Sequence, residues 1–215
     1  MNKLYVIFGG TFDPIHYGHL YSAMLLARQL KINQITLLPN NIPPHRSQPI
    51  ANAQQRIKML QIAITKNQLF RIDKREFEYP NLSWTIKVLK TLRTERGTKQ
   101  PIAFIIGQDS LLTIQTWHHW DDILSFCHLL VCPRPNYSLQ MNTSKMQGWL
   151  DNHCTSNINQ LYHKPNGFIW LCNIPPLFNI SSMQIRQRYN LGLPCRGLLP
   201  DKVINYIEQV GLYSD

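Results

Sequence analysis

Two histidines, His16 and His19, stand three residues apart shortly after the pair Gly9-Gly10. At helical spacing such side chains share a face, and both imidazoles can aim at one point. The glycines admit a ligand close to the backbone, where any side chain would obstruct it. Amides of such a turn, together with the positive end of a following helix, attract phosphate oxygens. Three readings of the histidine pair compete. A zinc centre needs more ligands of matching type, and only Asp13 is near. Histidines that merely satisfy local hydrogen bonds are the second. Donors to a polyphosphate are the third, favoured by the glycines that follow the apolar run at residues 4–8. The segment has neither the Gly-Lys-Ser/Thr of a Walker A loop nor a GxGxxG fingerprint.

Further residues fit the same chemistry. Asn40 follows an apolar run at 34–38 closed by Pro39, and Pro43-Pro44 stiffen the loop that carries His45 and Arg46. Ser83 reads as the cap of a helix whose first amides include Thr85. Asp109, just after Gly107, can cap a helix or accept hydrogen bonds from ribose hydroxyls. Trp117 offers a flat apolar surface for core packing or for stacking on a ring. Arg134 lies between Pro133 and Pro135 after another apolar run. Ile180-Ser181-Ser182 open a helix with Arg186 one turn in, a pattern suited to an anion.

Alternating strands and helices must place these groups. Strands are expected at 4–8, 34–38, 69–72, 101–106, 128–132 and 168–172. Helices are expected at 19–30, from an Asn52 cap to 65 with Ile57, Leu60 and Ile64 on the apolar face, and from Ser83 through 92 with Gly97 as terminator. Others follow from Asp109, around 120–126, near 145–153, and at 182–189 and 201–209, while 135–166 is otherwise irregular. Crossovers of this kind imply a Rossmann-like, doubly wound α/β fold, a mostly parallel sheet with helices on both faces. Its ligands sit at the carboxyl ends of the strands. Every motif above follows a predicted strand. With no internal repeat or linker, residues 1–215 are expected to form a single domain.

Composition narrows the partners. Five cysteines form no CxxC pair, which argues for reduced, mostly buried thiols. No apolar run nears the roughly 20 residues of a membrane span, and a cytoplasmic protein is expected. The net charge is +10, from 22 Lys+Arg against 12 Asp+Glu, and favours anionic partners. The basic residues are scattered, so small phosphorylated substrates are expected and nucleic acid is not. A homo-oligomer remains open.

The segment from Gly9 to His19 resembles the signature of the HxGH nucleotidyltransferases. Four more segments in order resemble the nicotinate-mononucleotide adenylyltransferases among them: Pro39 to Arg46, Ser83-Trp84-Thr85, Gly107-Gln108-Asp109 through Trp117, and Ile180 to Arg186. The resemblance implies transfer of the adenylyl group of ATP to nicotinate mononucleotide, giving deamido-NAD and pyrophosphate. It implies that ATP lies on Gly9, Gly10, Thr11, Phe12, His16 and His19, on Ile106, Gly107 and Asp109, and on Ile180, Ser181, Ser182 and Arg186. The mononucleotide would meet Asn40, His45, Arg46, Thr85, Asp109, Trp117 and Arg134, with Trp117 stacked on the pyridine. His16, His19 and Arg186 would be the catalytic groups. Mg²⁺ would come with ATP and take no direct protein ligand. Three positions depart from the family's usual residues: Arg46 for Lys, Trp84 for Tyr and Met183 for Thr. The last removes a hydroxyl beside the expected triphosphate. Alternative readings are an adenylyltransferase for phosphopantetheine or nicotinamide mononucleotide, and a silent nucleotide-binding or nucleic-acid-binding module.

Overall fold

The computed structural model describes residues 3–41, 48–78, 84–134, 138–173 and 180–214. Six strands form one parallel sheet: β1 (Tyr5–Gly10), β2 (Ile35–Pro39), β3 (Phe70–Ile72), β4 (Ile102–Gly107), β5 (His128–Cys132) and β6 (Ile169–Leu171). Their order is β3-β2-β1-β4-β5-β6. Direction of winding reverses between β1 and β4, which opens a crevice at their carboxyl ends. Register places Gly10 beside Pro39, Phe8 beside Ile105 and Gly107 beside Cys132. The loops expected to carry chemistry therefore leave the sheet along one edge.

Both faces of the sheet are covered because its central strands are largely apolar on both sides, and alternate residues serve different cores. Val6, Phe8, Ile35, Leu37, Ala103, Ile105 and Leu130 face one core. It is closed by α1 (Tyr17–Gln29), α2 (Ala53–Ala63), α8 (Ser182–Asn190) and α9 (Asp201–Gln209). Ile7, Leu38, Ile102, Phe104, Ile106, Leu129 and Val131 face the other. There α4 (Thr85–Arg96) contributes Ile86, Val88, Leu89 and Leu92, and α6 (Ser144–His153) contributes Met146 and Leu150. Each such side chain, fully buried, contributes about 1.5–3 kcal/mol. Cys127, Cys132, Cys172 and Cys195 are buried among them.

The expected elements are present with three differences. The apolar face of α2 is Arg56, Met59 and Leu60, whereas Ile57 and Ile64 are only half-buried. An arginine is turned inward, and the helix is rotated with it. Two short helices are unexpected: α3 (Arg75–Glu78), in a stretch with no expected element, and α7 (Ile158–His163), in the stretch expected to be irregular. Residues Trp120–Ser125 form a 3-10 helix, and a five-residue α5 (Gln108–Leu112) follows β4. Asn52 caps α2 with a reciprocal bond to Gln55, and Gly97 ends α4 at φ 76°. The Ser83 cap expected for α4 lies outside the described residues; its N-cap is Trp84, which makes no side-chain cap bond.

Candidate active site

The turn after β1 is shaped by what surrounds its glycines. A Cβ on Gly9 would lie 2.4 Å from the Phe104 ring, and one on Gly10 would lie 3.1 Å from the Phe12 ring. Phe12 sits at φ 49°, a backbone region unusual for a bulky residue, and its ring meets His19 edge-on at 5.1 Å. The backbone then enters α1 through His16, the N-cap, which is 1% exposed and makes no side-chain cap bond. Its imidazole stacks on that of His19 with centroids 3.7 Å apart. The helix thus begins with two imidazoles rather than a capping side chain, its first amide, of Tyr17, donates to the Leu198 carbonyl at 2.9 Å, and its positive end favours an anion.

Burial pushes the His16 imidazole down to about 3, and the nearby Arg134 guanidinium adds to the effect. The ring is therefore neutral near pH 7. Its Nδ1 is buried and finds no hydrogen-bond partner among the described residues. Gly18 is small for the same reason: a Cβ there would meet His16 Nδ1 at 2.9 Å and the Ile180 carbonyl at 3.3 Å. This close approach brings the segment before α8 against the start of α1.

That segment opens α8 where the sequence places a helix start. Ser181 caps α8: its hydroxyl accepts from the Gln184 amide at 3.2 Å, and its own amide donates to Gln184 Oε1 at 3.0 Å. The Ser182 hydroxyl donates to the Pro14 carbonyl at 2.9 Å. The Ser181 hydroxyl thus keeps its own proton to donate, whereas the Ser182 proton is engaged by Pro14. Arg186 Nη1 donates to the Asp13 carbonyl at 2.7 Å, which ties α8 to the turn after β1. Met183 is 60% exposed at the start of the helix.

Across the crevice, Asp109 and Arg134 form an ion pair at 3.3 Å, and the Arg134 amide donates to Gln108 Oε1 at 3.1 Å. A Cβ on Gly107 would lie 2.3 Å from Asp109 Oδ1. Thr85 opens α4 next to Trp84, whose ring packs at 4.3 Å on His118, the neighbour of half-buried Trp117. Thr85 and Trp117 are in this way brought to one corner. Asn40 donates its amide to the Gly10 carbonyl at 3.0 Å. His45, Arg46 and the prolines before them, and Asn179, lie outside the described residues.

Three buried groups beneath these loops carry no sequence signal. Arg56, Asp13 as a hydrogen-bond acceptor, and Tyr213 join the turn after β1 to the segment after β2. Only the break that Arg56 makes in the apolar stripe of α2 hints at it.

The chain matches the family model described as cytidylyltransferase-like over residues 7–188. It is 51% identical to a "probable nicotinate-nucleotide adenylyltransferase" of Yersinia pestis (strain Pestoides F), over 99% of this chain and 96% of that one. A protein of the same name from Pectobacterium atrosepticum is 49% identical, with all of both chains covered. A Plasmodium falciparum nicotinic acid mononucleotide adenylyltransferase, solved complexed with NaAD, superposes with a TM-score of 0.74 at 21% identity, over 98% of this chain and 97% of that one. The last likeness speaks to the fold. The chain belongs to the cytidylyltransferase-like nucleotidyltransferases, among the nicotinate-nucleotide adenylyltransferases.

Proposed function

We propose that the chain transfers the adenylyl group of ATP to nicotinate mononucleotide, releasing pyrophosphate and forming deamido-NAD. The observation that carries the reading is the stacked His16–His19 pair at the uncapped start of α1, beside a glycine turn at the β1–β4 crevice. The acceptor's phosphate is ionised near neutral pH, so it attacks the α-phosphorus in line with no general base and no covalent intermediate. What the protein supplies is alignment of two mutually repelling anions and stabilisation of the charge that develops on the transferring and leaving groups.

The amides of Gly9–Phe12 and the two imidazoles would hold the triphosphate from one side. His16, neutral before the nucleotide arrives, acts as a hydrogen-bond donor whose proton affinity rises when phosphate charge enters. On the other side stand Ile180, Arg186 and the first amides of α8. Those amides, the guanidinium and the remaining Ser181 O–H would share the work there. Ile106, Gly107 and Asp109 would meet the adenosine, and Asp109 the ribose. The mononucleotide would rest on Asn40, His45, Arg46 and Arg134 through its phosphate and on Thr85 and Trp117 through its ring.

Mg²⁺ would reach the site on the triphosphate. Among the described residues no group of three or more His, Cys, Asp or Glu could hold a metal. The Asp13 carboxylate already accepts three hydrogen bonds, and imidazoles suit a hard cation poorly. The ion would thus keep phosphate and water oxygens as ligands and supply charge neutralisation.

Pyrophosphate release from ATP, Mg²⁺ and nicotinate mononucleotide tests the reading, with nicotinamide mononucleotide and phosphopantetheine in parallel assays. Nicotinate mononucleotide is expected to be the preferred acceptor. In His19→Ala the kcat should fall by at least about 10²-fold with the circular dichroism spectrum unchanged. Preference for another acceptor, or near-wild-type turnover in that variant, would reject the corresponding assignment.

A further inference from the structure

Arg56 is 2% exposed, and its guanidinium spends its donors on main-chain oxygens of two substrate loops. Nη1 donates to the Thr11 carbonyl at 3.0 Å and to the Asn40 carbonyl at 2.6 Å. Nη2 donates to the Asn41 carbonyl at 3.1 Å, and Nε to the Ala51 carbonyl at 3.2 Å. Thr11 follows the glycine turn, whereas Asn40 and Ala51 bracket the loop that leaves β2. One planar fork therefore fixes the triphosphate turn against both feet of the neighbouring loop.

Asp13 returns the connection. Its carboxylate accepts the Ile50 amide at 2.9 Å and the Ala51 amide at 3.2 Å. The Tyr213 hydroxyl donates to the same carboxylate at 2.6 Å. Tyr213 itself is held at φ 68°, a conformation kept only where the surroundings dictate it. The two loops thus exchange bonds in both directions, from a side chain under each.

We infer that Arg56 and Asp13 are positioning residues for the transfer reaction. They set the distance between the loop that holds ATP and the loop that leads to the acceptor, without touching either substrate. The turn after β1 is also held by its strand and by Phe104 packing, so loosening the clamp shifts the neighbouring loop more than the turn, and ATP affinity changes little. Alignment of the acceptor depends on the clamp. An error of about 1 Å in such alignment costs about 10² in rate.

The inference rests on the adenylyl-transfer reading, which wild-type turnover tests separately in the same assay. Arg56→Lys keeps the charge and loses the planar fork. Its kcat is expected to fall about 10²-fold, while the ATP dissociation constant, measured by calorimetry without acceptor, and cooperative melting are retained. Wild-type kcat in the folded variant overturns the inference, as does a loss of ATP binding that matches the loss of rate. Should Arg56→Lys fail to fold, Tyr213→Phe decides. This isosteric change removes one bond to Asp13 and is expected to lower kcat several-fold at unchanged ATP affinity. Unchanged kcat there refutes the clamp.

Discussion

Gly9 and Gly107 look alike in the sequence, each closing an apolar strand, but the structure gives them different tasks. Beside Gly9 the space is filled by the Phe104 ring, part of the core. Beside Gly107 it is filled by the Asp109–Arg134 pair at the crevice. Neither glycine has a positive φ, so space rather than backbone freedom selects it. Gly9→Ala forces a rigid ring aside and is expected to cost about 1–3 kcal/mol, read from urea unfolding. Gly107→Ala meets the ends of two movable side chains, Asp109 and Arg134, at a backbone geometry any residue adopts, φ −78° and ψ 157°. It should leave unfolding within about 0.5 kcal/mol of wild type while lowering kcat/KM about tenfold or more. Equal effects of the two variants on stability would refute this division. Sequence marked both positions as special but could not tell them apart, because the neighbour that excludes a Cβ lies far along the chain. Arg56 was illegible for a related reason. A cation in an apolar stripe reads as exposed until the carbonyls that receive it are known.

Helices with local signals were the legible elements. Asn52 before α2, Gly97 after α4 and the apolar spacing of α9 all act within a few residues. The helices that escaped, α3 and α7, are four and six residues long and hold their place through the rest of the molecule. Two of the β2–α2 loop's three expected contacts, His45 and Arg46, lie outside the described residues, so that part of the candidate site rests on sequence. The capping boxes of α2 and α8 invite a paired test, since both use a polar side chain bonded reciprocally to a glutamine. Asn52→Ala and Ser181→Ala should each cost about 1 kcal/mol of stability. α8 presents its N-terminus and Arg186 to the turn after β1 on the side expected to hold the triphosphate, whereas α2 reaches that turn from beneath through Arg56. Ser181→Ala alone is therefore expected to weaken ATP binding, measured by calorimetry. If Asn52→Ala weakens it equally, α8 has no privileged role.

At the scale of the whole molecule the sheet separates function from stability by its two ends. The carboxyl ends of β1, β4 and β5 carry the candidate site, and the opposite end is tied by half-buried Arg93 and buried His128. Arg93 donates there to the carbonyls of Phe126, Gln100 and Pro165. His128, at the start of β5 and fully buried, accepts the Phe168 amide on Nδ1 at 3.1 Å. Its Nε2 faces the Lys164 carbonyl at 3.0 Å, so the proton belongs on Nε2 and the neutral ring satisfies both neighbours. Protonation would set an N–H against the Phe168 amide. Burial accordingly pushes this imidazole down to about 4, Arg93 lowers it further, and the Lys164 carbonyl opposes the shift. The folded value lies below the unfolded value of about 6.5, so between those limits the unfolded chain binds a proton that the folded chain refuses. Stability from this group is complete above about pH 6.5, declines as pH falls, and levels off below about 4. The decline amounts to about 3 kcal/mol. His128→Gln keeps a donor and an acceptor without titrating. Urea unfolding of both proteins from pH 7.5 to 4 should show the wild type losing about that much more than the variant. Parallel curves would mean that His128 keeps the same proton affinity folded and unfolded, and that its two hydrogen bonds do not discriminate the neutral ring.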